Sequence, residues 1–292
     1  DDDTIYAKNM ISELVNSHRR FPDAVSARKV RMILRKDERL EPYCRWQREI
    51  YLEEYADRPR MDLCAIGNGG ICYPAIYSSH WFEAETLLKT AGRQDDLWLK
   101  YCEILDHVPV VYTGSSQKDS TIKSTQEGNL AAYNLYGEGN DRCMEALLLL
   151  LTTQDADGCQ EWFQNLMTWD GYLKEKKKYY TKIFNAVLDQ AGNVPIYFCG
   201  AGQIARYKLG ILSDLGLTQR MTAIIVSEQS GNPVSLYGLP VRYLSELDSN
   251  QAFGVIFGVN EANKREIMDR MEGREYTNIE LDLRIIKRYF PE

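Results

Sequence analysis

Apolar residues recur along this chain with two periods. In Ala7-Lys8-Asn9-Met10-Ile11-Ser12-Glu13-Leu14-Val15 they fall at helical spacing. Val30, Met32 and Leu34 alternate with Arg31 and Ile33 in the manner of a strand. Leu40 to Trp46 reads as a turn into a short helix. Leu63 to Ile66 is an apolar run that meets Gly67-Asn68-Gly69-Gly70 and then a second run, Ile71-Cys72-Tyr73-Pro74. Leu97 to Lys100 begins another helical pattern. Val108 to Tyr112 reads as a strand, Thr113 to Gly128 as a polar loop, and Asp141 to Leu151 as a helix. Gln154 to Gly158 is a turn, and Trp162 to Gln190 is helical with a break near Asp170-Gly171. From Val194 the pattern is strand, glycine turn and helix, repeated through Ala223–Val226, Val255–Asn260 and Glu261–Met271. Strands alternating with helices predict an α/β chain.

Composition adds bounds. The 292 residues, 44% of them hydrophobic, are enough for two domains with cores. We place the boundaries at 1–153, a helical linker at 154–191, and a second domain at 192–292. The net charge of -7 argues against a general nucleic-acid binder. Seven cysteines are scattered without a C-x-x-C pair, which fits a reducing, cytoplasmic setting. The apolar run Ala146–Leu151 is too short for a membrane span.

Four stretches carry candidate chemistry. Asp1 and Asp3, one residue apart on an extended segment, point the same way and can share a hard cation. A frayed, solvated terminus is the competing reading. His18, Arg19, Arg20, Arg28, Lys29, Arg31, Arg35 and Lys36 form the most basic part of the chain. They read either as a phosphate-contacting patch or as a solvated face paired with Asp37, Glu38 and Glu41. Gly69 and Gly70 let a backbone approach a ligand closely, or simply make a hairpin turn. Asp95 and Asp96 precede a helical run, where each can cap the helix or act as a general base. In the second half, Gly200-Ala201-Gly202-Gln203-Ile204-Ala205 follows a strand and opens a helix, the context that makes a dinucleotide-type turn credible. Glu228 stands late for a ribose contact. Tight strand–helix packing is the competing use of these glycines.

Taken in order, Asp1-Asp2-Asp3, Gly67-Asn68-Gly69-Gly70-Ile71-Cys72-Tyr73-Pro74 and Asp95-Asp96-Leu97-Trp98 resemble the motifs of GT-A-fold glycosyltransferases of bacterial surface-polysaccharide assembly. The resemblance covers Asp1 to Val111, with Asn134 and Gly139-Asn140-Asp141 resembling the end of the catalytic region. It implies a nucleotide-sugar donor, a glycan or lipid-linked acceptor, and an inverting transfer. It implies that Asp1 and Asp3 hold Mn²⁺ or Mg²⁺ with the donor diphosphate. Gly69 and Gly70 would line the cleft, Asp96 or Asp95 would be the base, and Trp98 would pack beneath that loop; the basic stretch, read as a phosphate-contacting patch, adds Arg19 as a substrate contact. In that family a strand–helix–strand region precedes the aspartates, so the chain reads as truncated at its N-terminus, keeping the metal motif and the acceptor half but lacking most of the nucleotide pocket. The second half resembles small Rossmann-like domains appended to sugar-transferring enzymes, with Gly200, Gly202, Gln203 and Ile204 at a nucleotide-type site. A non-catalytic nucleotide-binding module is the alternative function, and an oxidoreductase a weaker third. Peripheral membrane contact and homo-oligomerisation stay open.

Overall fold

The computed structural model describes residues 4–75, 79–114, 119–121, 139–227 and 231–281. The fold is mixed α/β, and its sheets include parallel strands. The chain divides into two compact units, Asp1–Tyr172 and Leu173–Glu292.

In the first unit α1 (Met10–Arg20) buries Leu14 and Ser17 and ends on His18, Arg19 and Arg20. Cations in a last turn complement the helix dipole. A four-stranded sheet follows, in the order Pro59–Arg60, Val110–Tyr112, Val25–Ala27 and Ile71–Cys72. Its central pair, Val110–Tyr112 with Val25–Ala27, is parallel and fully buried. A three-stranded sheet joins Gln47–Arg48, Val30–Met32 and Leu63–Ala65, all antiparallel. The helices α2 (Ala84–Thr90), α3 (Asp95–Leu105), α4 (Gly139–Gln154) and α5 (Ala156–Asn165) complete the described part. The core gathers Trp46, Trp81, Trp98, Tyr101, Leu147 and Trp162.

Four expectations change. The alternation from Val30 to Leu34 is two strands, because Leu34–Lys36 leaves the first sheet to pair with Arg39–Leu40 and Met167–Thr168. Ile33 between them is fully buried, and its N–H donates to Asp62 O at 2.7 Å. The Gly67–Gly70 bend does not close a hairpin. The strand before it, Leu63–Ala65, pairs with Val30–Met32, and the strand after it, Ile71–Cys72, pairs with Val25–Ala27 in another sheet. Asp170-Gly171 does not break a helix; it lies in the first turn of α6 (Trp169–Leu188). The Gly171 N–H donates to Thr168 Oγ1 at 3.1 Å, so the break falls just before, in Leu166–Thr168. Leu40 to Trp46 contains a single 3-10 turn at Tyr43–Arg45.

The second unit is built on a six-stranded sheet. Its order is Ser235–Leu236, Leu239–Tyr243, Ala223–Val226, Ile196–Cys199, Phe253–Phe257 and Tyr276–Asn278. Only the edge pair Ser235–Leu236 with Leu239–Tyr243 is antiparallel. Ile196–Cys199, Ala223–Val226 and Phe253–Phe257 are buried on both faces, which is why they read as unbroken apolar runs rather than alternating ones. The chain moves from Ile196–Cys199 to one side of the sheet and returns to its other side, so that strand's C-terminal end is a topological switch point. Helices α7 (Gln203–Asp214) and α8 (Glu261–Arg270) start from strand ends on this rim.

All seven cysteines are free thiols; Cys44 is exposed, Cys72 is half-buried and the other five are buried. Burial pushes the Cys143 and Cys199 thiols up to about 12. No helix among the described residues is long and apolar enough to cross a membrane.

Candidate active site

The Gly67–Gly70 bend is the point on which the first unit's polar residues converge. Gly70 sits at φ 89, a conformation that favours glycine, and a Cβ there would meet Met10 Sδ at 3.0 Å and Leu14 Cδ1 at 3.2 Å. A Cβ on Gly69 would come within 2.5 Å of the Lys29 side chain. The bend is therefore glycine-rich because α1 packs on one side of it and Lys29 on the other.

Asp96 approaches from α3. Its Oδ1 accepts the Gly67 N–H at 2.9 Å, and a Cβ on Gly67 would touch the same oxygen at 3.0 Å. The residue at the cap of α3 is Gln94, with no side-chain capping bond, so Asp96 reaches across to the bend instead of capping its own helix. Asp96 is half-buried and Asp95 is exposed. Burial pushes the Asp96 carboxyl up to about 6; the Gly67 N–H opposes this shift and the neighbouring Asp95 charge adds to it. Trp98, two residues along, is buried; its ring lies 5.1 Å from that of Tyr101, and its Nε1 donates to Trp81 O at 3.4 Å. It fixes α3 in the core.

On the other side of the bend, Arg28 is buried and fully engaged. Its Nη1 donates to Gly69 O at 3.1 Å and to Asp119 Oδ1 at 3.0 Å, and its Nε donates to Glu13 Oε2 at 3.1 Å. Lys29 Nζ stands 3.6 Å from Asp119 Oδ2. Asp119 also accepts the Ala7 N–H at 2.9 Å. Burial alone would raise the Asp119 carboxyl, but the Ala7 N–H and Arg28 together hold it below the usual carboxylate range. The strand Thr4–Ile5 pairs antiparallel with Ser120–Thr121. A continuous series of hydrogen bonds thus runs from Ala7 through Asp119 and Arg28 to Gly69, and from Gly67 to Asp96.

The structure brings together Gly69, Gly70 and Asp96, with Asp95 and Trp98 on the same helix. It does not bring Arg19 to them: Arg19 is exposed in the last turn of α1, beyond the Met10 and Leu14 positions that pack on the bend. Asp1 and Asp3 lie outside the described residues, as do Asn134 and Glu228. Among the described residues no three His, Cys, Asp or Glu side chains are grouped to hold a metal ion. The basic stretch divides: Arg19, Arg20 and Lys36 are exposed, whereas three of its arginines are engaged within the fold. Arg28 is spent on Glu13 and Asp119, Arg31 lies over the Tyr43 ring at 4.6 Å, and Arg35 Nε donates to Leu166 O at 3.1 Å.

Sequence reading missed Asp119, because its partners are far along the chain and its own surroundings read as loop. It also missed the pair Lys100 and Glu103. Their side chains are fully buried, with Nζ 3.2 Å from Oε2. Burial raises Glu103 to about 7, with Lys100 pulling the other way. Helical spacing puts Asp96, Lys100 and Glu103 on one stripe of α3, a signal present in the sequence.

In the second unit, a cleft of about 540 Å³ opens at the switch point, lined among others by Gly200, Gly202, Gln203, Ile204, Asn260 and Glu266. Its glycines divide by role. Gly200, at φ 111, would drive a Cβ to 2.7 Å from Val259, so it serves packing. Gly202 has open space before it, and α7 begins there without a side-chain cap.

No protein-family model, curated protein or solved structure matches this chain.

Proposed function

We propose that the first unit is the acceptor half of a GT-A-like glycosyltransferase of bacterial surface-polysaccharide assembly. It would move a sugar from a nucleotide-sugar to a glycan or lipid-linked acceptor with inversion. The observation that carries this reading is the seat of Asp96, a half-buried carboxylate raised to about 6 and held by the Gly67 N–H. It stands on the same glycine bend that Arg28 and Asp119 tie to the strand following Asp1-Asp2-Asp3.

In this reading Asp96 takes the proton of the acceptor hydroxyl while that oxygen attacks the anomeric carbon. The bond from that carbon to the nucleoside diphosphate breaks, and the diphosphate leaves with the electron pair. A carboxylate near 6 is ionised at neutral pH yet more basic than an ordinary aspartate, which suits a general base. The Gly67 N–H fixes its direction and leaves its second oxygen for the acceptor. Burial keeps Asp96 basic, and Asp95, exposed beside it, adds to this by like charge. Asp1 and Asp3 are the residues assigned to Mn²⁺ or Mg²⁺, which when bound would supply positive charge against the leaving diphosphate. Arg28 supports the bend, because its donors are committed.

The test is nucleotide release from a panel of nucleotide-sugars with Mn²⁺. Asp96→Asn should lower the rate by about 10²-fold or more, the usual span for losing a general base, and Asp95→Asn should lower it far less. Undiminished release by Asp96→Asn refutes the assignment.

A second reading is favoured by Gly202. We propose that the second unit is Rossmann-like and binds a nucleotide or nucleotide-sugar at the uncapped start of α7. A cleft outside the carboxyl ends of parallel strands, at a switch point, is where such sheets bind ligands. Calorimetry with nucleoside diphosphates and nucleotide-sugars should give heat that Gly202→Val removes.

A further inference from the structure

The geometry points to a second ligand site in the first unit, for an organic cation with an apolar body. It lies between the hairpin Leu34–Leu40 with the residues that follow it and the N-terminal half of α4. The site is a cleft of about 630 Å³, within the size range of small-molecule pockets.

Glu41 lines this cleft and is 4% exposed. Its Oε2 accepts Arg45 Nη1 at 3.1 Å, while its Oε1 is buried with no hydrogen-bond partner. A buried carboxylate oxygen left without a donor is unfavourable, so a donor in the cleft that Oε1 meets on a small shift of the Glu41 side chain is favoured. The surrounding charge says which donor that is. Glu38, Glu41, Asp141 and Glu145 line the cleft against Arg39 and Arg142, so negative charge is in excess. The walls are apolar and aromatic: Trp46 and Phe163 face the same space as Met144 and Leu148. Aromatic faces attract cations and cover apolar bodies. An ammonium carried on an apolar frame meets all three demands. A neutral polyol meets only the first, and an anion meets none.

The cleft does not include Asp96 or the glycine bend, so its occupancy stands apart from the transfer chemistry. Glu41 is held for this role from both sides. Its N–H donates to Leu34 O at 2.8 Å, and its carbonyl accepts Trp46 Nε1 at 2.8 Å. Tyr43 N–H donates to Asp141 Oδ1 at 2.7 Å, joining the segment after the hairpin to the start of α4.

The probe is 2-phenylethylamine, with 2-phenylethanol as its neutral isostere, titrated by calorimetry into the whole chain labelled with ¹³C at methionine methyls. We expect saturable binding of the amine and a shift of the Met144 methyl. Loss of a bond to a charged group predicts an affinity about tenfold or more lower in Glu41→Gln, and similarly lower for the alcohol with the wild-type chain. Glu145→Gln, at an exposed position, should lower amine affinity without touching the core, and it carries the test should Glu41→Gln fail to fold. No saturable amine binding at millimolar concentration, equal binding of the alcohol, or binding that leaves Met144 unmoved overturns the proposal.

Discussion

The Asp96 carboxyl is raised to about 6 chiefly by burial, and that shift acts on stability as well as reactivity. The folded chain binds this proton more tightly than the unfolded chain does. The resulting stabilisation is complete below about pH 4 and is lost as pH rises through about 6, on the order of 3 kcal/mol in all. The transfer proposed for Asp96 needs the opposite state, so its rate should climb through the same interval and level off above it. Asp96→Asn should therefore flatten the fall in denaturant midpoint between about pH 4 and 7 while lowering turnover. Unfolding curves across that range check the first part, and a pH–rate profile checks the second. The neighbouring ion pair gives a different signature. Glu103→Gln leaves the Lys100 ammonium buried without its counter-charge and should cost about 3–5 kcal/mol. Lys100→Met combined with Glu103→Leu should recover most of that loss, which urea titration of the single and double variants would measure.

At the scale of elements, the glycines separate packing from approach. Gly70→Ala forces a side chain into a left-handed backbone against Met10 and Leu14, and should cost about 1–3 kcal/mol. Gly200→Ala meets Val259 and should be similarly costly. Gly202→Ala has open space and an ordinary φ, and should stay within about 0.5 kcal/mol of the parent. Thermal melts of the three variants decide this. The same comparison shows what the sequence carries. Val194 to Ala205 is legible because a run of apolar residues, a glycine turn and a helical period follow one another without interruption. The bend at Gly67 is legible as a bend, and Asp96 as a candidate base. What joins them is not, since Asp96 and Gly67 meet across 29 positions and Arg28 and Asp119 across 91. The strand at Val30 misleads for a related reason: Leu34 changes sheets, and sheet membership depends on distant partners that local alternation does not name.

Over the whole molecule, two compact units with separate sheets predict two unfolding transitions rather than one. Calorimetric scans should show Glu103→Gln lowering one transition and Gly200→Ala lowering the other. A single transition displaced equally by both variants would mean that the units unfold together. The distribution of sulfur over the chain has a practical outcome. Five thiols are enclosed, and Cys44 is the exposed one, between Tyr43 and Arg45 at the edge of the segment that forms the Glu41 cleft. A maleimide dye added to the native chain will attach there first, and its emission becomes a built-in gauge of what enters that cleft, with no engineered cysteine required.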